Sequence, residues 1–160
     1  MPSPLSSSQH SAHASNDAML RLDNQLCFAV YSASLAMTRL YKPLLDQLGL
    51  TYPQYLVMLA LWEQDGPMVS ELGQRLSLES GTLTPLLRRL QASGLVSRVR
   101  DEQDERRVHI QLTTAGKRLK SRAARVPACL VAATQCSPGE IVALTQQVQQ
   151  LRDRIQASAS

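Results

Sequence analysis

No apolar run in this 160-residue sequence approaches the ~18 residues that a membrane-spanning helix requires, and the first sixteen residues hold no lysine or arginine to open a secretory signal. These two absences point away from a membrane partner and make the cytoplasm the expected compartment. Cysteine is scarce: three thiols cannot all pair within one chain and are too few for a disulfide scaffold. No CxxC occurs, His10 and His13 fall in a polar tail, and His109 has no second ligand at a useful spacing, so no metal site is expected. No Ser/His/Asp arrangement, phosphate-binding loop or pair of catalytic carboxylates stands out, nothing points to a cofactor, and an enzyme is not expected. Charge is nearly balanced, 17 basic against 13 acidic residues for a net of +4, which is compatible with a polyanionic partner but too small to identify one. The length suits one domain and excludes a large multidomain enzyme.

What is present is helical periodicity interrupted once. Residues 1–18 read as a disordered tail: the first sixteen include six serines, two histidines and two prolines, and no charged side chain. From Leu22 the apolar residues Leu26, Ala29, Ala33, Leu40, Leu44 and Leu48 recur at three and four, predicting a long helix with Asp23 or Asn24 as cap, Pro43 as a kink and Gly49 as its stop. Thr51 caps a second helix with Pro53 in its first turn, carrying Tyr55, Leu56, Leu59, Leu61 and Trp62 and ending before Gly66 and Pro67. Ser70 is the expected cap of a short helix facing inward with Leu72 and Leu76. A turn through Ser77–Ser80 leads to a helix over residues 81–92 with Leu83, Leu86, Leu87 and Leu90 inside; Pro85 argues for an irregular first turn or a start nearer Thr82. Gly94 ends it. The period then changes to two, with Val96–Arg100 and Val108, Ile110 and Leu112 as strands and DEQDE as a polar hairpin tip, which makes a wing.

From Thr113 the spacing is helical again through Leu119, Ala123, Val126, Leu130 and Ala133, with Pro127 expected to bend the helix and Pro138–Gly139 to break it. The last helix steps Ile141, Leu144, Val148, Leu151, Ile155 by three and four, the spacing helices use to seal against one another. With no sheet for the terminal helices to lie on, a second copy of the chain is the expected partner. The fold class is mainly α with a small β wing, a winged helix-turn-helix at about 50–112 within one domain over 19–160. Helices at about 20–49 and 113–157 form its dimerisation region.

In such a fold the second helix of the pair enters the major groove, where Ser80, Thr82 and Thr84 are short enough to approach base edges and Arg88 and Arg89 meet phosphate or guanine. Arg106 and Arg107, just past the acidic tip, suit a minor groove. Bulk charge adds little, since Ser70 to Leu112 holds seven arginines against six carboxylates. Cys27 falls in the first turns of the long helix, where unpaired N–H groups and the helix dipole favour a thiolate, yet its position between Leu26 and Phe28 argues more strongly for a small packed hydrophobe. Cys129 and Cys136, seven apart, would share one face if their helix persists past Pro127. Either could resolve an oxidised Cys27, or both could be spectators.

The segments DNQLCFAVYSAS from Asp23, YKPLL from Tyr41, GLTYPQYLVMLALWE from Gly49, SGTLTPLLRRL from Ser80 and DERRV from Asp104 together resemble the MarR family of winged-helix repressors, and within it the organic hydroperoxide sensors of the OhrR group. The resemblance implies a homodimer that binds an inverted-repeat operator in double-stranded DNA and is released by organic hydroperoxides. It implies that Cys27 is the peroxide-oxidised thiol and that Tyr41 and Tyr52 hydrogen-bond to it across the dimer, with Tyr31 a further candidate. It also implies that Ser80, Thr82, Thr84 and Arg88 read bases, and that the Asp104 carboxylate orients Arg106 in the wing. A C-terminal thiol resolves oxidised Cys27 in family members with more than one cysteine; the matching position here is Ala132, about one turn from both Cys129 and Cys136. Two rivals remain: a repressor released by a small phenolic ligand, with structural cysteines, and a cysteine-dependent thiol peroxidase.

Overall fold

A computed structural model describes residues 17–159, and the chain divides into two compact units, one ending at Leu40 and one beginning at Tyr41. The expected tail lies outside the described residues except for Asp17 and Ala18, which belong to a short helical turn.

In the first unit a 3-10 turn, Leu22–Asn24, precedes helix α1, Leu26–Asp46, which continues into the second unit. Asp23 and Asn24, the expected caps, sit inside the 3-10 turn instead. Their neighbourhood explains why: the Asn24 amide donates back to the Ala18 carbonyl (2.7 Å) and the Gln25 amide to the Met19 and Arg21 carbonyls (2.6 and 3.0 Å). The Gln25 carbonyl accepts from Ala29 N–H at 3.0 Å, so the helical ladder begins there. Short amide side chains that stabilise the preceding turn are not free to cap the helix.

In the second unit α1 runs through Pro43 to Asp46, and the turn that follows it closes at Gly49, whose φ of +69° is a left-handed stop. Helix α2, Tyr52–Glu63, opens with a reciprocal cap in which Gln54 N–H donates to Thr51 Oγ1 and Thr51 N–H to Gln54 Oε1. It buries Tyr55, Val57, Met58, Ala60 and Leu61, an apolar girdle that makes it the central helix of the unit. Helix α3, Val69–Leu76, is capped at Met68 and not at Ser70, because the Glu71 carboxylate takes the Met68 N–H at 2.7 Å and draws the start two residues forward. Ser77, at φ +53°, closes α3.

Helix α4, Ser80–Ala92, is continuous through Pro85 and begins at Ser80, earlier than Pro85 suggests. Thr82 and Leu83 N–H both donate to the Glu79 carbonyl (3.0 and 2.9 Å), so the first turn is closed before the proline. Pro85 then forfeits one hydrogen bond, to the Gly81 carbonyl. The buried face of the helix pair is Leu72, Leu83, Leu87 and Leu90, each 1% exposed or less, with Leu76 and Leu86 half-buried.

Strands β1, Val96–Arg100, and β2, Val108–Leu112, pair antiparallel from Val96↔Leu112 to Arg100↔Val108. Their inner residues Val96, Ile110 and Leu112 complete the core. A third edge, not expected from the sequence, adds to β2: Ile110 N–H donates to the Pro67 carbonyl, Gly66 N–H to the Ile110 carbonyl, and Met68 bridges His109. The wing is thereby sewn to the connection between α2 and α3.

Helix α5, Thr114–Ala123, is capped by Thr113 Oγ1. Gly116 lets it approach closely: a Cβ there would run into the Leu95 carbonyl, and its own carbonyl accepts from Trp62 Nε1 at 2.9 Å. One bent helix was expected through Pro127. The chain instead breaks at Ala124–Arg125, and α6, Val126–Thr134, starts anew with Pro127 in its first turn, where a missing N–H costs nothing. Gln135, at φ +55°, ends α6, and α7, Pro138–Ser158, follows with Ser137 and Glu140 as a reciprocal cap. Among the described residues no helix is long and apolar enough to cross a membrane.

Candidate nucleic-acid interface and redox site

With Leu83, Leu87 and Leu90 turned inward, α4 carries Ser80, Thr82, Arg88 and Arg89 exposed and Thr84 half-buried, all five on the helix expected to present them. Gly81 and Pro85, four apart, fall between them on the outward side. A Cβ on Gly81 would meet nothing within 4 Å, so the fold leaves open space there.

In the wing, Asp104 accepts Arg106 N–H at 3.0 Å and pairs with the Arg107 guanidinium at 3.5 Å. The expected carboxylate–Arg106 relationship is therefore made through the main chain, and the guanidinium held by Asp104 is that of Arg107. The tip is organised by Asp101, whose Oδ1 accepts Gln103 and Asp104 N–H (2.8 and 3.3 Å) while its Oδ2 meets His109 Nε2 at 3.2 Å. Those bonds hold the Asp101 carboxyl below the usual carboxylate range, the Gln103 N–H first and His109 next.

In the second unit three phenols cluster: the Tyr41 ring lies 5.1 Å from Tyr52 and 6.1 Å from Tyr55, and Tyr52 lies 6.4 Å from Tyr55. Burial, and then the neighbouring phenols, push Tyr41 up to about 12; burial raises Tyr52, and burial with Tyr52 raises Tyr55. All three remain neutral O–H donors well above physiological pH. Tyr55, only 3% exposed, was expected as apolar bulk alone, and its place in the cluster depends on the long-range docking of α1 on α2 within this unit.

In the first unit Cys27 is the second residue of α1 and is exposed, as are Leu26, Phe28 and Tyr31 beside it. Within one chain its thiol is left uncovered, although its apolar neighbours suggest packing. In the second unit Cys129 lies half-buried on α6, whereas Cys136 lies past the left-handed Gln135 with its Sγ–H toward the Thr134 carbonyl (3.5 Å). The two therefore do not share a helical face, because α6 stops between them.

The sequence pattern of the SarA/Rot transcriptional regulators matches residues 39–123. The chain is 51% identical over 138 residues to the transcriptional regulator TtmR of Methylorubrum extorquens, spanning 86% of this chain and 71% of that one. It is 50% identical over 112 residues to the organic hydroperoxide resistance transcriptional regulator of Bacillus subtilis, spanning 70% and 76%. This chain belongs to the MarR-like winged-helix transcriptional regulators of the SarA/Rot type. Its fold matches AbfR of Staphylococcus epidermidis, solved reduced and bound to DNA, with a TM-score of 0.71 at 34% identity over 91% of this chain and 99% of that one. AbfR has also been solved with its disulfide formed, matching at a TM-score of 0.57 and 37% identity over 87% and 98%.

As a MarR-like regulator the chain is a DNA-binding protein, and its relatives are named as regulators, not enzymes. This sets aside the thiol peroxidase. Two of its wing residues, Asp101 and His109, were not singled out for DNA binding from the sequence. The aspartate was legible as an Asx turn, a carboxylate followed by N–H groups two and three residues on, but its bond to His109 needs the strand register.

Proposed function

We propose that this regulator is a cytoplasmic homodimeric repressor that organic hydroperoxides switch off through Cys27. In the reduced state the two α4 helices enter successive major grooves of an inverted-repeat operator, with Ser80, Thr82, Thr84, Arg88 and Arg89 facing the duplex and the wing arginines toward the minor groove. The Cys27 thiolate attacks the hydroperoxide: an S–O bond forms, the O–O bond breaks, and the alkoxide takes a proton and leaves as the alcohol. Sulfur is oxidised to the sulfenic acid as the peroxide is reduced. Cys129 or Cys136 of the partner subunit then attacks that sulfur, forming the disulfide and releasing water. Phenols of Tyr41 and Tyr52 serve the thiolate of the opposite subunit as donors, with Tyr31 at its rim. Because both half-sites must sit one DNA turn apart, a small rotation at the subunit seam weakens both together.

The observation that carries this reading is Cys27 itself, solvent-exposed in the first turn of α1 amid exposed Leu26, Phe28 and Tyr31, a surface suited to a subunit junction. The half-identical Bacillus relative named for organic hydroperoxide resistance supports it. Gel shifts on a promoter duplex, before and after cumene hydroperoxide, test it. The wild type is expected to release DNA and Cys27→Ser to stay bound, while Cys129→Ser and Cys136→Ser identify the resolving thiol as the one whose loss removes the disulfide. DNA release with Cys27 unmodified by mass spectrometry would overturn the proposal. A second reading, release by a small organic ligand, draws support from a cleft of about 530 Å³ lined by Leu44, Leu48, Val126, Arg122 and Arg125. In that case Cys27→Ser responds to its ligand unchanged.

A further inference from the structure

His109 is the one histidine among the described residues, and it stands where the wing meets the body. On β2 it lies opposite Val99, at the position where Met68 bridges the sheet. Its Nδ1 is 3.0 Å from the Gly66 carbonyl, on the connection into α3, and its Nε2 is 3.2 Å from Asp101 Oδ2, at the root of the tip. Both partners are acceptors only: a carbonyl has no proton to give, and neither has an ionised carboxylate. A neutral imidazole has one N–H, so it satisfies one contact and turns a lone pair toward the other. Only the doubly protonated ring makes both.

We infer that His109 is a positioning residue for DNA binding, whose imidazolium clamps the wing tip to the α2–α3 connection and whose deprotonation loosens the wing and weakens the complex. The clamp reaches the DNA-facing arginines through Asp101. One oxygen of that carboxylate holds the ring while the other holds Gln103 and Asp104 N–H, and Asp101 N–H donates to the Arg107 carbonyl at 2.9 Å. Arg106 and Arg107 thus follow from a turn anchored at its base by the histidine.

The surrounding charges favour the same state. Asp101 and, from α3, Glu71 bear on the ring, with Glu71 itself tied to Met68 N–H. Asp65, on the same connection as Gly66, is turned to Leu112 N–H (2.8 Å) and to Lys117 Nζ (3.5 Å). Arg98 and Arg100 of β1 alternate to the other face of the strand from Val99. The Gly66 carbonyl first, and then the Asp101 carboxylate, raise His109 above the usual imidazole value. The sign follows: the clamp is complete below the ordinary histidine range and is lost as pH rises through the raised value.

The test uses the full-length reduced protein and a fluorescent duplex selected with it from a randomised pool, titrated by anisotropy from about pH 6 to about pH 8.5 at constant ionic strength. The wild type is expected to lose about three- to tenfold more affinity over that range than His109→Gln. Asp101→Asn, which keeps the turn acceptor but removes the charge, moves the midpoint to lower pH. In parallel, imidazole proton resonances report the titration directly. The resonance absent from His109→Gln is that of His109, and its midpoint is expected above the ordinary imidazole value. A His109→Gln variant with the wild-type pH slope, equal weakening at every pH, or a His109 midpoint at or below the ordinary imidazole value would each overturn the inference.

Discussion

The winged-helix body and the terminal helices are both rich in apolar residues, but they spend them differently. In the body Leu72, Leu83, Leu87, Leu90 and Ile110 are 1% exposed or less. Along the first half of α1, Leu26, Phe28 and Tyr31 are 59, 38 and 61% exposed, and along α7 Leu144, Val148 and Ile155 are 53, 52 and 57% exposed. A periodic apolar face left open to water marks a surface that something else covers. The reading head is therefore finished within one chain, whereas the helices expected to carry the signal are finished by a second copy in the proposed dimer.

The sharpest way to break that contrast is to truncate one leucine from each region. Leu87→Ala in α4 removes a side chain with no exposure and is expected to cost about 2–5 kcal/mol at any protein concentration. Leu144→Ala in α7 removes one that is half exposed in the single chain, so its cost appears only where subunits associate, vanishing at low concentration and growing to a plateau as concentration rises. Urea melts of both variants at two concentrations about a hundredfold apart check this. Equal, concentration-independent losses would show that α7 is covered from within its own chain.

The same contrast explains what could be read from the sequence. The apolar faces of α4, the change of period at Val96 and the stops at Gly49 and Gly94 are local signals, and local chemistry determines them. The misjudged boundaries were those decided by competition. Ser70 lost its cap to Glu71 and Met68, Asn24 to its bond with Ala18, and Pro127 opened a helix that it was expected to bend. The site was less legible than the fold, because its parts join through contacts far apart in sequence: Tyr41 with Tyr52 and Tyr55, His109 with Gly66, and the Pro67 edge on β2. Periodicity carries no information about which distant residue fills such a place.

An intermediate effect is expected at the tyrosine cluster, which belongs to the buried side of the contrast although its chemistry is polar. A raised phenol binds its proton more tightly folded than unfolded, so the stability it contributes is complete below about pH 10 and is lost as pH rises toward Tyr41's value of about 12. Unfolding midpoints are therefore expected to fall more steeply over this window in the wild type than in Tyr41→Phe. Parallel curves would mean that the phenol is solvated in solution.

The smallest expected change in stability is at Gly81, on the exposed side of a buried element. Glycine is a poor choice inside a helix, by about 1 kcal/mol against alanine. Neither crowding nor a left-handed φ requires it here: an added Cβ meets nothing within 4 Å, and Gly81 is not among the positive-φ glycines. Since the chain's own fold does not ask for the missing side chain, substitution tests whether a duplex against α4 does. Gly81→Ala is expected to leave the melting temperature unchanged or raise it slightly while weakening operator binding severalfold, the opposite signs that separate a contact surface from a packing position. An alanine variant that binds as tightly as the wild type would return Gly81 to the ordinary helix surface and leave Arg88 and Arg89 to carry the approach.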